Sequence, residues 1–397
     1  MAYNFETINS RYHTGSKKWG EMREFIPDIG DGFIPFSVAD MELETAPEIK
    51  DALKTYIDKY ILGYANPTPE FKQSVVGWMQ RRHGWSISPD WMLSTHGVIA
   101  AFYTAIKAYT KPGEGVLLMT PIYYPMYNGI KNNNRVLVDC PLVNKGDHYE
   151  IDFDNFEKKA KDPNTKLFIL CSPHNPLSRV WKKEELERMG RICAENGVVV
   201  CSDEIHSDLI MPGYKHTVFA GISQEFADNC ITCTAPSKTF NLAGLQTATV
   251  IISSEELRKK YYTHMLEDES NPKCNVLGYV AAMTAYDKCE AWLEQALDLI
   301  EGNRQAVVKY MAEHFPEVVM TRMEGTYLQW INFNPLGIGY EELARLLRME
   351  AQLFFDDGYI FGAQGEGFER WNIACPRRYI DEGLERLGKA LNKRLGR

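Results

Sequence analysis

The chain has 397 residues, enough for two or three domains at about 150 residues each. Hydrophobic residues make up 45% and charged residues 24%, an ordinary globular composition that excludes a disordered, collagen-like or low-complexity chain. Forty-four Lys and Arg against 53 Asp and Glu leave a net charge of −9, which argues against nucleic acid or an anionic membrane as partner and favours a small molecule.

Roughly the first 40 residues hold Gly, Pro and aromatics without clean periodicity and predict an arm with an early helix. They lack a basic start followed by an apolar run, and no segment approaches ~18 uninterrupted apolar residues, so a cytoplasmic protein without a membrane span is expected. From about residue 95 to about 255, short apolar runs alternate with helical patterns: GVLLM (115–119), KLFIL (166–170), GVVVC (197–201), CITCT (230–234) and TATVII (247–252). That alternation predicts an α/β layer with a mostly parallel sheet. Between the second and third runs, Leu186, Met189 and Cys193 share a helix face, with Glu184 and Glu185 in the first turn and Gly197 past the end. This is a crossover helix.

A longer helical pattern from about Ala291 to His314 places Leu293, Ala296, Ile300, Val307 and Met311 near one stripe. Strand-like YLQWINF, amphipathic YEELARLLRME, strand-like ERWNIA and a last helix from about Tyr379 follow, and they predict a smaller α+β domain. The expected division is an arm and part of the small domain over 1–45, a large domain over 46–290 and the rest of the small domain over 291–397. The nine cysteines sit in apolar runs, as at Cys171, Cys201 and Cys375, and read as reduced buried thiols. Cys230 and Cys233 form a Cys-x-x-Cys with no second pair at zinc spacing, so no metal is expected.

In open α/β sheets ligands bind outside the carboxyl ends of the strands. The residues there are Tyr123 after GVLLM, Asn175 after KLFIL, Asp203 and His206 after GVVVC, and Ser237 and Lys238 after CITCT. Ahead of these runs Gly97 and Val98 open an apolar helix whose free N–H groups suit a phosphate. Together they ask for a flat ligand with a ring nitrogen, a ring oxygen, a phosphate and a group that reacts with an amine. Pyridoxal 5′-phosphate meets all these demands. Lys238 would form the Schiff base, Asp203 would keep the pyridine nitrogen protonated, Asn175 would donate to the ring oxygen and Tyr123 would stack on the ring. Singly, each has a plain structural reading, since a Lys past a strand is commonly a surface amine and an Asp there a helix cap. Their joint order along the chain is what points to one cofactor.

The series from Gly97 through Tyr123, Asn175-Pro, Asp203-Glu-Ile-His206 and Ser237-Lys238-Thr-Phe-Asn resembles the fold-type I pyridoxal phosphate enzymes, the aspartate aminotransferase superfamily. Val-Ala-Asp-Met (38–41), Gly63-Tyr64, the run from Asn175 to Trp181, and Ala235 to Gln246 are similar to the MalY/PatB group of carbon–sulfur β-lyases. The resemblance covers essentially the whole chain. It implies a large, mostly parallel mixed-sheet domain with a smaller α+β domain, and a homodimer in which Tyr64 reaches the neighbouring subunit's phosphate. It also implies that Arg370 grips the substrate α-carboxylate, with Asn175 and Ala39 beside the substrate, and that Gly97, Val98 and Ser237 hold the phosphate. His206 stands where a Tyr is usual, either at the ring oxygen or one bond removed from it. Gln246 replaces an arginine common in aminotransferases, Ala235 replaces a Ser, and Ser178 replaces a Gly in the Asn-Pro-x-Gly turn.

The implied activity is α,β-elimination of L-cystathionine or a related cysteine thioether to a thiol, pyruvate and ammonia. Lys238 would act as the general base, Lys238 or a nearby Tyr hydroxyl as the acid toward sulfur, with Tyr123 and Asp203 counted among the catalytic residues. The alternatives are an aminotransferase, which protonates the same carbanion elsewhere, and a catalytically silent protein that keeps the cofactor. A nicotinamide dehydrogenase is disfavoured, because Gly362, Gly365 and Gly367 have the reverse of the required spacing.

Overall fold

The computed structural model describes residues 2–268 and 274–397. Its central sheet has seven strands: β1 (Met92–Thr95), β2 (Gly115–Leu118), β3 (Val136–Asp139), β4 (Thr165–Cys171), β5 (Val199–Asp203), β6 (Cys230–Thr234) and β7 (Ala248–Ile251). Their order is β1-β7-β6-β5-β4-β2-β3. β7 pairs antiparallel with both neighbours, and every other pairing is parallel. Six strands therefore point one way, and the start of β7 lies at the same edge as the ends of the others.

The inner strands are buried almost throughout because both faces are covered, whereas the edge strand β3 leaves Val136 and Leu137 exposed. In β4, Leu167, Ile169 and Cys171 enter one core while Phe168 and Leu170 enter the other. The relevant helices are α1 (Lys17–Phe25), α2 (Pro69–His83), α3 (Val98–Tyr109), α4 (Lys183–Glu195) and the short α5 (Pro236–Thr239). α4 connects β4 to β5 and buries Leu186, Met189 and Cys193, the face expected of a crossover helix. α3 follows β1 and packs its apolar residues against one face of the sheet.

Beyond the large sheet, α6 (Glu290–His314) buries Leu293, Ala296, Ile300, Val307 and Met311, the predicted stripe. A second, antiparallel sheet follows, formed by β8 (Val319–Met320), β9 (Leu328–Asn332), β10 (Asp356–Asp357) and β11 (Phe368–Asn372) in the order β8-β9-β11-β10. Ile34–Pro35 pairs in parallel with Leu353–Phe354, which ties the N-terminal arm to this region. The last helix, α7 (Arg377–Leu395), starts two residues before the predicted Tyr379, directly after Pro376. The amphipathic stretch over 340–350 is not a single α-helix. It is helical over Tyr340–Arg345 and widens into a π-turn over Leu346–Glu350, with both Leu346 and Leu347 buried. All nine cysteines are buried. Among the described residues no helix is long and apolar enough to cross a membrane.

Candidate active site

The carboxyl edge of the large sheet carries a cavity, and nine of the predicted residues line it: Ala39, Gly97, Val98, Tyr123, Asn175, Asp203, His206, Ser237 and Lys238. Because β7 runs backwards, Gln246 and Thr247 at its start join the same wall. Arg370 lines the adjoining mouth together with Lys238, Tyr123 and Ala39. Tyr64 is not in this site. It is fully exposed, beside exposed Tyr60, Ile61 and Leu62.

Lys238 sits in α5, held at the end of β6. Its Nζ donates to the Ala39 carbonyl at 2.6 Å. Burial, reinforced by the positive charge of Arg370, outweighs nearby Asp40 and Asp203 and brings the amine down to about 8. A neutral amine is the nucleophilic form. Asp203 ends β5 and accepts from the Ile205 amide at 3.2 Å. Burial pushes its carboxyl up to about 7, more than that hydrogen bond and the charge of Lys238 can offset. A buried carboxyl in that condition gains from a cationic partner.

Asn175 follows β4, and its orientation is set by Arg370, whose Nη1 donates to Asn175 Oδ1 at 2.8 Å. The amide nitrogen is left as the donor for the cavity. The Tyr123 backbone amide donates to the Asn175 carbonyl at 3.1 Å, which joins the loops after β2 and β4. His206 is buried, its Nδ1 has no partner, and burial lowers its pKa well below the ordinary value, so the ring is neutral. At the far end, α3 opens at Gly97, where φ is 127° and no side chain caps the first turn. The free amides there are open to an anion.

Several contributors were not singled out in the sequence. Tyr327 on the approach to β9 donates its hydroxyl to the Ala39 carbonyl at 2.9 Å and meets the His206 ring edge-on at 6.0 Å. Asn372 Nδ2 donates to the carbonyls of Val38 (2.7 Å) and Asp40 (2.6 Å), and Asn241 clamps Met41 through its backbone amide and carbonyl. Asn241 lies inside the quoted Ser237-Lys238-Thr-Phe-Asn motif, which was a usable signal. Asp356, which holds Arg370, had none, because the pair forms only through strand register. The Ser178 departure is absorbed locally. Ser178 takes φ 56°, as a Gly would, and its hydroxyl bonds Thr326 Oγ1 at 2.8 Å and the Leu328 carbonyl.

This donor set fits pyridoxal 5′-phosphate. A half-buried amine of lowered pKa stands in one cavity with a buried carboxyl of raised pKa, an amide turned toward the cavity and an uncapped helix N-terminus. The comparisons agree. Residues 31–387 match the family described as aminotransferase class I and II. The chain is 38% identical over 389 residues to cystathionine β-lyase PatB of Bacillus subtilis, covering 98% of this chain and all of that one. Among solved structures it is similar to cystalysin from Treponema denticola, which contains pyridoxal 5′-phosphate (TM-score 0.97, 44% identity, 99% of this chain and 100% of that one). It is also similar to the pyridoxal phosphate-bound C–S lyase from Staphylococcus hominis (TM-score 0.91, 31% identity, 98% of each chain). With a family match across most of its length and a fold shared end to end with these structures, the chain belongs to the aminotransferase class I and II family.

Proposed function

We propose that the protein is a pyridoxal phosphate-dependent carbon–sulfur β-lyase that eliminates a thiol from L-cystathionine or a related cysteine thioether and yields pyruvate and ammonia. The observation that carries this reading is the cavity lined by both half-buried Lys238 and buried Asp203, with Arg370 at its mouth, in a chain 38% identical to a cystathionine β-lyase. When bound, the cofactor supplies a ring that accepts the electron pair left at Cα after proton removal. Asp203 holds the proton on the ring nitrogen, Asn175 donates to the ring oxygen, and Tyr123 covers the ring. Gly97, Val98 and Ser237 take the phosphate.

Arg370 grips the substrate carboxylate through a charge-assisted fork. Lys238 takes the α-proton. Burial raises the Tyr123 hydroxyl, so it stays protonated and, with Lys238, serves as acid toward the departing sulfur. The released enamine hydrolyses in water to pyruvate and ammonia.

The active unit in this reading is a homodimer. The exposed Tyr60–Tyr64 segment meets a second copy, and Tyr64 completes the phosphate site there. Residues 46–290 carry the cofactor, while 1–45 and 291–397 form the part that supplies Arg370. The nine buried thiols suit a reducing cytoplasm.

Incubation of the holoenzyme with L-cystathionine and no keto acid tests the reading. Continuous, multiple-turnover release of pyruvate and thiol is expected. A transaminase stops after one equivalent, and a silent cofactor-binding protein makes neither product.

A further inference from the structure

Asp356 on β10 is the cross-strand partner of Arg370 on β11. Its Oδ2 accepts from Arg370 Nε at 3.1 Å, from Arg370 Nη2 at 2.6 Å and from the Val38 amide at 3.0 Å. Arg370 Nη1 donates to Asn175, and the guanidinium carbon lies 4.6 Å from the centroid of the Phe361 ring. A guanidinium has five N–H groups. Three are committed in this way, and one remains on each terminal nitrogen. The side edge formed by Nε and Nη2 is closed, and Phe361 covers one face.

The same carboxylate steadies the turn that carries the acceptor of Lys238. Val38 has φ 56°, a conformation that β-branched residues rarely adopt. Asp356 holds its amide and Asn372 its carbonyl. The next carbonyl, that of Ala39, accepts from both Lys238 Nζ and the Tyr327 hydroxyl. Asp356 thus bonds the arginine directly and lies two residues' backbone from the contact of the lysine.

We propose that Asp356 is a positioning residue: it closes the side edge of Arg370, so that a substrate carboxylate is seated in one orientation, with its Cα–H toward Lys238. The proposal rests on the reading above in taking Arg370 as the carboxylate site and Lys238 as the base toward Cα of a substrate held on the cofactor. Without Asp356, the Nε/Nη2 edge becomes a second bidentate seat on an arginine that has lost its countercharge. A carboxylate then binds as well as before or better, but Cα is displaced from the base.

The test uses the holoenzyme and L-alanine, which has the amine and carboxylate but no leaving group. Binding is followed by the change in visible absorption, and proton removal by exchange of the α-hydrogen in D2O, read by NMR. In Asp356→Ala, the exchange rate at saturation is expected to fall by about tenfold or more, while the dissociation constant rises by less than about threefold or falls. An exchange rate within about twofold of wild type overturns the proposal, and so does an affinity loss that matches the rate loss. Asp356→Asn, of the same shape, takes its place if the alanine variant does not fold, and the same split is expected at about threefold or more. If the wild type exchanges the α-hydrogen of alanine yet releases no thiol from cystathionine, the elimination reading fails while the role of Asp356 stands.

Discussion

Asp203 is a buried carboxyl whose titration is measurable. In the cofactor-free protein burial raises its carboxyl from 3.8 to about 7. Between those values the folded chain keeps a proton that the unfolded chain has released, so stability falls as the pH rises through this window and levels off on either side. Asp203→Asn has no such proton. At about 1.4 kcal/mol per unit, cofactor-free wild type is expected to lose about 4 kcal/mol relative to Asp203→Asn across that window, as read by urea unfolding at a series of pH values. Parallel pH profiles for the two proteins would contradict the assignment. Ser178 offers a second test at this scale. Its left-handed conformation costs about 1 kcal/mol that Gly avoids, whereas its buried hydroxyl bonds Thr326 and Leu328. Ser178→Ala keeps the strain and loses the bonds, so it is expected to be less stable than wild type by about 2 kcal/mol and less stable than Ser178→Gly by about 1 kcal/mol. An alanine variant at least as stable as the glycine variant would show that strain does not operate there.

At the scale of elements, α5 is too short to hold Lys238 by itself, and the structure anchors it from behind. Thr239 donates its hydroxyl to Asp208 at 2.7 Å, and the same buried carboxylate takes Trp78 Nε1 at 3.1 Å and His83 Nε2 at 2.8 Å, both from α2. Asp208→Ala leaves three buried polar groups without their acceptor. A loss of about 3 kcal/mol is expected, seen as a fall in Tm of about 3–4 °C in a chain of this length. A change of less than about 1 °C would mean that the anchor lies elsewhere. The same scale shows what the sequence disclosed and why. Asp203 and Lys238 were legible because a strand buried on both faces reads as an apolar run, and the rule of strand ends then points at the residue that follows. Gln246 was named for its offset from the lysine, but its place on the cavity wall depends on the reversal of β7, which the apolar run alone does not encode. Asp356 escaped notice because its meaning comes from lying opposite Arg370, and register between short antiparallel strands is set by the sheet as a whole.

For the whole molecule, the question is whether one chain makes a complete site. The cavity gathers nine of the predicted residues, with Arg370 at its mouth, but Tyr64 stands fully exposed on the outside, in a run with Tyr60, Ile61 and Leu62. In the proposed homodimer this contiguous apolar exposure would lie between the two copies. Contact between copies could not be read from residues in a single chain, and only the resemblance suggested it. If two copies share each site, Lys238→Ala and Tyr64→Phe chains, each impaired alone, should complement one another. Reassembled in equal amounts, they form hybrids with one intact site, and about a quarter of wild-type activity is expected to return. No recovery on mixing, with exchange of subunits verified by native mass spectrometry, would place Tyr64 outside the neighbouring site.

The proposed chemistry requires a covalent bond between Lys238 and the cofactor, and reduction of the holoenzyme with borohydride followed by peptide mass spectrometry tests that bond directly. A reduced pyridoxyl phosphate label on the peptide containing Lys238, absent from Lys238→Ala, is the predicted result. A label on a different lysine, or undiminished labelling of Lys238→Ala, would contradict it.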